Sequence, residues 1–168
     1  MSLVGKTVVL TGAATEAGAE IGRMLLDAGA ATIGLLDWHG VRLASLADSL
    51  AEEFGETRVV SLPTDLTDRT QVRHSLREFS RIAGRIDVLV ENTGALIDRS
   101  ISMLTARGIA AQPGHSWRRE LQNHCVGIGQ NLRTALDEIR DGKVAHTSRG
   151  VVTVTPLVAK AIQDLVSN

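Results

Sequence analysis

The sequence has no tyrosine, one cysteine, three prolines and little aromatic content, limited to Trp38, Trp117, Phe54 and Phe79 in 168 residues. A lone Cys125 excludes an intrachain disulfide and a multi-cysteine zinc site, and it predicts a reducing, cytoplasmic setting. Eighteen lysines and arginines against 19 acids leave a formal charge of −1, so no overall positive field attracts nucleic acid, and the aromatics needed for base stacking are missing. No apolar run approaches the roughly 18 residues of a membrane span. The opening Met1-Ser2-Leu3-Val4-Gly5-Lys6 lacks the basic and apolar regions of a secretory leader. Repeats, low-complexity tracts and linkers are absent as well, so residues 1–168 are expected to form a single domain with a real core, 43% of the residues being hydrophobic.

What is present is an alternation of strand-like and helix-like segments, the pattern of a parallel sheet covered on both faces. Thr7 to Leu10 reads as a first strand stopped by Gly12. Residues 17 to 29 carry Ile21, Leu25 and Ala28 at helical spacing, with Gly29 as the stop. Ala31 to Leu36 is a second strand, ending at Asp37. Leu43, Leu46, Ala47 and Leu50 form one face of a helix from Val41 to Phe54, closed by Gly55. Arg58 to Leu62 is a third strand, and Asp68 is placed to cap a helix over residues 69 to 83. Ile86 to Val90 is a fourth strand that runs into Glu91-Asn92-Thr93-Gly94. A long helix is expected from Ser116 to about Arg140, and Val151 to Thr155 is a fifth strand followed by Pro156.

The first strand-turn-helix unit reads Thr11-Gly12-Ala13-Ala14-Thr15-Glu16-Ala17-Gly18. A glycine at the strand's end permits a sharp turn, and the helix that follows offers free N–H groups and a positive dipole end to a phosphate. Asp37, closing the second strand, is placed to accept hydrogen bonds from an adenosine ribose. Trp38 beside it can lie against an adenine, although it also suits a core.

With these residues in place, the chain resembles the short-chain dehydrogenase/reductase family. Thr11, Gly12 and Gly18 match the Thr-Gly-x-x-x-Gly-x-Gly signature, with Thr15, Glu16 and Ala17 inside it. Asp65-Leu66 is similar to the adenine-contacting pair after the third strand, and Asn92-Thr93-Gly94 to the Asn-Asn-Ala-Gly after the fourth. Trp117 and Gly127 flank the catalytic Asn position, which His124 occupies. The resemblance spans about residue 3 to residue 155. It implies a Rossmann-like, doubly wound α/β fold of about five parallel strands in the order 3-2-1-4-5. It also implies a dinucleotide cofactor, with NAD favoured over NADP because a carboxylate at Asp37 suits free ribose hydroxyls and repels a 2′-phosphate.

The departures from the family fall on the chemistry. Glu16 replaces the middle glycine, and like charges about 4 Å apart repel by roughly 4 kcal/mol at an effective dielectric of ~20, unless the side chain reaches water. Glu91 replaces the first Asn and is expected to bring a second acid to the same crevice. Thr155-Pro156 stands where a Ser pair supplies the carbonyl-binding hydroxyl, leaving Thr155 as its weak substitute. The family's general acid is the Tyr of a Tyr-x-x-x-Lys pair. If Pro156 aligns with the Ser, that Tyr falls past Asn168. If the loop is shorter, Pro156 to Lys160 is the remnant, with Pro in the Tyr place. Against the family's usual length the chain reads as truncated.

Three functions therefore stand side by side. One is an NAD-dependent oxidoreductase acting on a small alcohol or ketone. Another is a catalytically silent subunit that pairs with its own kind or with another chain through the helix at 116–140, as the family's dimers do. The third is a nucleotide sensor that binds without reacting. His124 and Lys160 are the other acid/base candidates. His115, His124 and His146 follow no metal-ligand spacing, and Cys125, beside His124 on a helix, points about 100° away from it.

Overall fold

The computed structural model describes residues 3–92, 117–138 and 151–154. Five strands form one parallel sheet in the order β3-β2-β1-β4-β5, where β1 is Thr7–Thr11, β2 Thr32–Asp37, β3 Val59–Pro63, β4 Val88–Asn92 and β5 Val151–Val154. Among the described residues four α-helices accompany them: α1 (Glu16–Asp27), α2 (Gly40–Phe54), α3 (Arg69–Ala83) and α4 (Trp117–Glu138). The expected fold class and strand order are those observed.

β1 is central, so both its faces are covered and every residue of Thr7-Val8-Val9-Leu10-Thr11 is buried. Side chains alternate between the faces of a strand. Val8 and Leu10 join Ile21, Leu25, Leu43 and Leu50 under α1 and α2, whereas Val9 joins Val72, Leu76, Phe79 and Leu89 under α3 and α4. The same alternation in β4 places Val88 and Val90 in the first core and Leu89 in the second. On the second face α4 covers α3 through Ile128, Leu132, Ala135 and Leu136. The Arg77–Glu138 ion pair at 3.1 Å closes one end of that contact.

Gly34 shows why a small residue interrupts β2. A Cβ there would lie 2.8 Å from the Phe79 ring, so glycine makes room for the second core's largest side chain.

Element boundaries differ from expectation mainly at β4, which lies two residues later than Ile86 to Val90. Asp87 precedes it and is held to the start of β1 by side chain and backbone together: its Oδ2 accepts from the Thr7 N–H at 2.9 Å, and its own N–H donates to the Thr7 carbonyl at 2.9 Å. At the other end Glu91 and Asn92 belong to the strand, in register with Thr11 and with Val154 respectively. Polar residue type pointed to a loop, but pairing with β1 and β5 at Glu91 and with β5 at Asn92 extends the strand through them. α1 ends at Asp27, and Gly29, with φ +91°, turns the chain toward β2.

Candidate functional site

In a parallel sheet of this order the direction in which successive strands are added reverses between β1 and β4, and the crevice beyond the carboxyl ends of those two strands is where such sheets bind ligands. The segment from Thr11 to Gly18 lies there. Gly12 adopts φ +63°, a left-handed turn that a side chain would oppose. Gly18 meets a different constraint, since a Cβ on it would lie 2.1 Å from the Gly12 carbonyl oxygen and 2.7 Å from that of Ala13. The two glycines of the signature are thus required by the protein itself, one for the turn and one for the closeness of helix and strand.

Thr15 is the cap of α1. Its Oγ1 accepts from the Gly18 N–H at 3.0 Å and donates to the Gly12 carbonyl at 3.0 Å. Asn92 reaches across from β4, its Nδ2 donating to the Gly12 carbonyl at 3.1 Å and to Thr15 Oγ1 at 3.0 Å. The side-chain amide of Asn92 therefore locks the turn from the neighbouring strand. No described residue accepts from the backbone N–H of Glu16 or Ala17, the first two of the helix, and both residues are exposed. A helix end with open donors favours an anion.

Asp37 is buried at 4% exposure at the last position of β2. Its Oδ2 accepts from the Ala14 N–H at 3.1 Å and its Oδ1 from the His39 N–H at 2.9 Å. These two donors fix the carboxylate beside the turn and offset part of the cost of burying it. Trp38 is half exposed, with its ring 5.3 Å from that of His39.

After β3, Asp65 Oδ1 accepts from the Thr67 N–H at 3.0 Å and from Thr67 Oγ1 at 2.7 Å, so one oxygen of the expected adenine contact serves a local turn. Leu66 is buried in the second core, and its carbonyl accepts from Asn131 of α4 at 3.4 Å.

Two expectations about acids are modified. Glu16 does reach water, being exposed at the first position of α1. Glu91 is buried, and because its neighbour Asn92 turns toward Gly12 and Thr15, alternation sets Glu91 on the face of Leu89. It does not stand at the Gly12–Gly18 turn with Glu16. Thr93, Gly94, Thr155 and Lys160 lie outside the described residues, as do His115 and His146. His124 belongs to α4 by its backbone. Among the described residues no group of three His, Cys, Asp or Glu could hold a metal ion, and no helix is long and apolar enough to cross a membrane.

Sequence reasoning passed over Ala14 and His39 as contributors. Both act through a backbone N–H, which every residue other than proline carries, so residue type held no signal for them.

The fold and this turn define a dinucleotide-type Rossmann domain. The short chain dehydrogenase family model matches residues 6–155, and the chain belongs to that family. It is 32% identical over 137 residues to 15-hydroxyprostaglandin dehydrogenase (NAD+) of Homo sapiens, covering 82% of this chain and 45% of that protein. A probable oxidoreductase of Streptomyces antibioticus is 29% identical over 153 residues, covering 89% and 47%. The chain thus spans about half the length of the curated relatives it matches. Among solved structures, a short-chain type dehydrogenase/reductase from Mycobacterium marinum superposes with a TM-score of 0.62 at 22% identity, over 90% of this chain and 56% of that one, a likeness of fold.

Proposed function

We propose that this chain is an NAD-binding member of the short-chain dehydrogenase family whose catalysis is impaired or silent. One observation carries the binding half: the buried Asp37 carboxylate, set by the Ala14 and His39 N–H groups beside the Gly12–Gly18 turn. That placement suits the two hydroxyls of an adenosine ribose and opposes a 2′-phosphate, so NAD is preferred over NADP. Asn92 and Thr15 hold the turn, Glu16 and Ala17 offer their N–H groups to the pyrophosphate, and Trp38, Asp65 and Leu66 border the adenine. The family resemblance adds Thr93 and Gly94 to the proposed cofactor-binding set.

NAD, when bound, supplies a two-electron acceptor. Turnover also requires a group that takes the proton from the alcohol oxygen. No tyrosine occurs in these 168 residues. His124, Thr155 and Lys160 are the weak candidates for that task within them, and the replacements at positions inside the chain, Glu16 for the middle glycine and His124 for the family's Asn, support a site that is impaired or silent. The relative of Homo sapiens carries NAD(+) in its name, which favours the cofactor without fixing a substrate.

Isothermal titration of the purified chain with NAD and NADH tests the binding directly. Micromolar affinity is expected, and the absence of heat up to millimolar ligand overturns it. Nicotinamide absorbance followed with small alcohols and ketones tests the silence, and steady turnover would restore the active oxidoreductase. The family resemblance implies, in addition, association through α4, with a second copy or another chain. The solution mass of the same sample reads it, and a monomer at high concentration counts against self-association.

A further inference from the structure

The turn between β1 and α1 keeps its shape while reversing the charge at its mouth. Gly18 is demanded by the Gly12 carbonyl 2.1 Å from where a Cβ would stand, and Gly12 by its φ of +63°. Position 16 is under no such demand. Glu16 is accommodated as the first residue of α1, exposed, with the Thr15 cap and the Asn92 bridge intact around it. A glutamate here therefore costs the fold nothing visible, and its influence falls on whatever approaches the turn from solvent.

What approaches is decided by two halves of the crevice that no longer agree. On the ribose side, Asp37 is buried and hydrogen-bonded into place. On the phosphate side, the open N–H groups of Glu16 and Ala17 still favour an anion, but the first of them belongs to an exposed glutamate, whose negative charge in the first turn opposes the positive end of the helix dipole.

We infer that Glu16 is a specificity-determining residue, one that biases the crevice toward adenosine ligands whose 5′ substituent is uncharged or cationic and against those with a 5′ phosphate or pyrophosphate. This rests on the assignment of the crevice to an adenosine ligand made above, and it orders the ligands within that class. NAD binding is then carried mainly by its adenosine half.

The experiment is a calorimetric matrix: adenosine, 5′-amino-5′-deoxyadenosine, AMP and NAD, each against the wild-type chain, Glu16→Gln and Glu16→Gly. Glutamine keeps the volume and removes the charge, so it separates electrostatics from space, and it guards against a folding defect in the glycine variant. The expected result is that both variants bind AMP and NAD at least tenfold more tightly, about 1.4 kcal/mol, while adenosine changes less than twofold. The amino derivative should weaken against Glu16→Gln. The gain for AMP should shrink as salt is raised, because the carboxylate is exposed.

Unchanged AMP and NAD affinity in Glu16→Gln, or an equal gain for adenosine, overturns the role of Glu16 and leaves the NAD assignment standing. Wild-type chain that binds adenosine but not NAD, with NAD binding gained in the variants, supports Glu16 and removes NAD as the ligand. Failure of every ligand with every variant overturns both.

Discussion

At the scale of single residues, the site is held by contacts that admit little substitution. Gly18 is the clearest case. Any side chain there drives a carbon into the Gly12 and Ala13 carbonyl oxygens, and the Gly12 carbonyl is held in place by Thr15 and Asn92. Gly18→Ala is expected to lower unfolding stability by about 1–3 kcal/mol, the usual cost of overpacking, read as a fall in the denaturant midpoint. Stability within a few tenths of wild type would show that α1 can slide away from β1. Asp37 is a contrasting case, because its loss should register in binding first. Asp37→Ala removes the acceptor for Ala14 and His39 as well as for the ribose, and NAD affinity is expected to fall at least tenfold by calorimetry. Unchanged affinity would return Asp37 to a structural role alone.

At the scale of elements, caps and glycine stops were the part most readable from sequence, for a physical reason. A cap is a local event between residues two or three apart, so its chemistry appears in the order of residue types. Asp68 does accept from the Thr70 and Gln71 N–H groups at the start of α3. The Gln71 side chain, then these two N–H groups, hold its carboxyl below the ordinary carboxylate value. Asp68→Ala should lower the thermal midpoint, and a null effect on it would mean that packing of α3 alone sets the helix start. The end of β4 was harder to read. Whether Glu91 and Asn92 lie in a strand or a loop is decided by partners on β1 and β5, distant in sequence. The lock of Asn92 on Thr15 is likewise nonlocal, and the coupling between the two residues is measurable. In a double-mutant cycle of Thr15→Ala and Asn92→Ala, an interaction energy of about 0.5–3 kcal/mol is expected, and strict additivity would mean that the bridge carries no energy.

At the scale of the whole molecule, the two ends of the sheet have divided their tasks. The carboxyl ends of β1, β2 and β4 carry Gly12, Asp37 and Asn92, the residues of the proposed cofactor crevice. The opposite end is closed by Asp87, which accepts from the Thr7 N–H, from Thr7 Oγ1 at 3.2 Å and from Arg85 Nε at 2.8 Å, while Arg85 also donates to the Gly5 carbonyl at 2.7 Å. Burial of Asp87 pushes its carboxyl up, but the Thr7 and Arg85 donors together outweigh it and leave the group below its ordinary 3.8. A carboxyl more acidic in the folded chain than in the unfolded one stabilises the fold in full above 3.8, and that contribution drains as pH falls from there through the folded value. Acid should therefore loosen β1 from β4 at the end remote from the crevice. Asp87→Asn is expected to unfold more readily than wild type at neutral pH and to show a shallower loss of stability below pH 4. Parallel curves for the two proteins across that range would mean that other carboxylates govern the acid transition. Because Asp87 touches nothing at the Gly12 turn, the variant should bind NAD as wild type does at neutral pH wherever it remains folded, which separates the clamp that holds the sheet from the crevice that uses it.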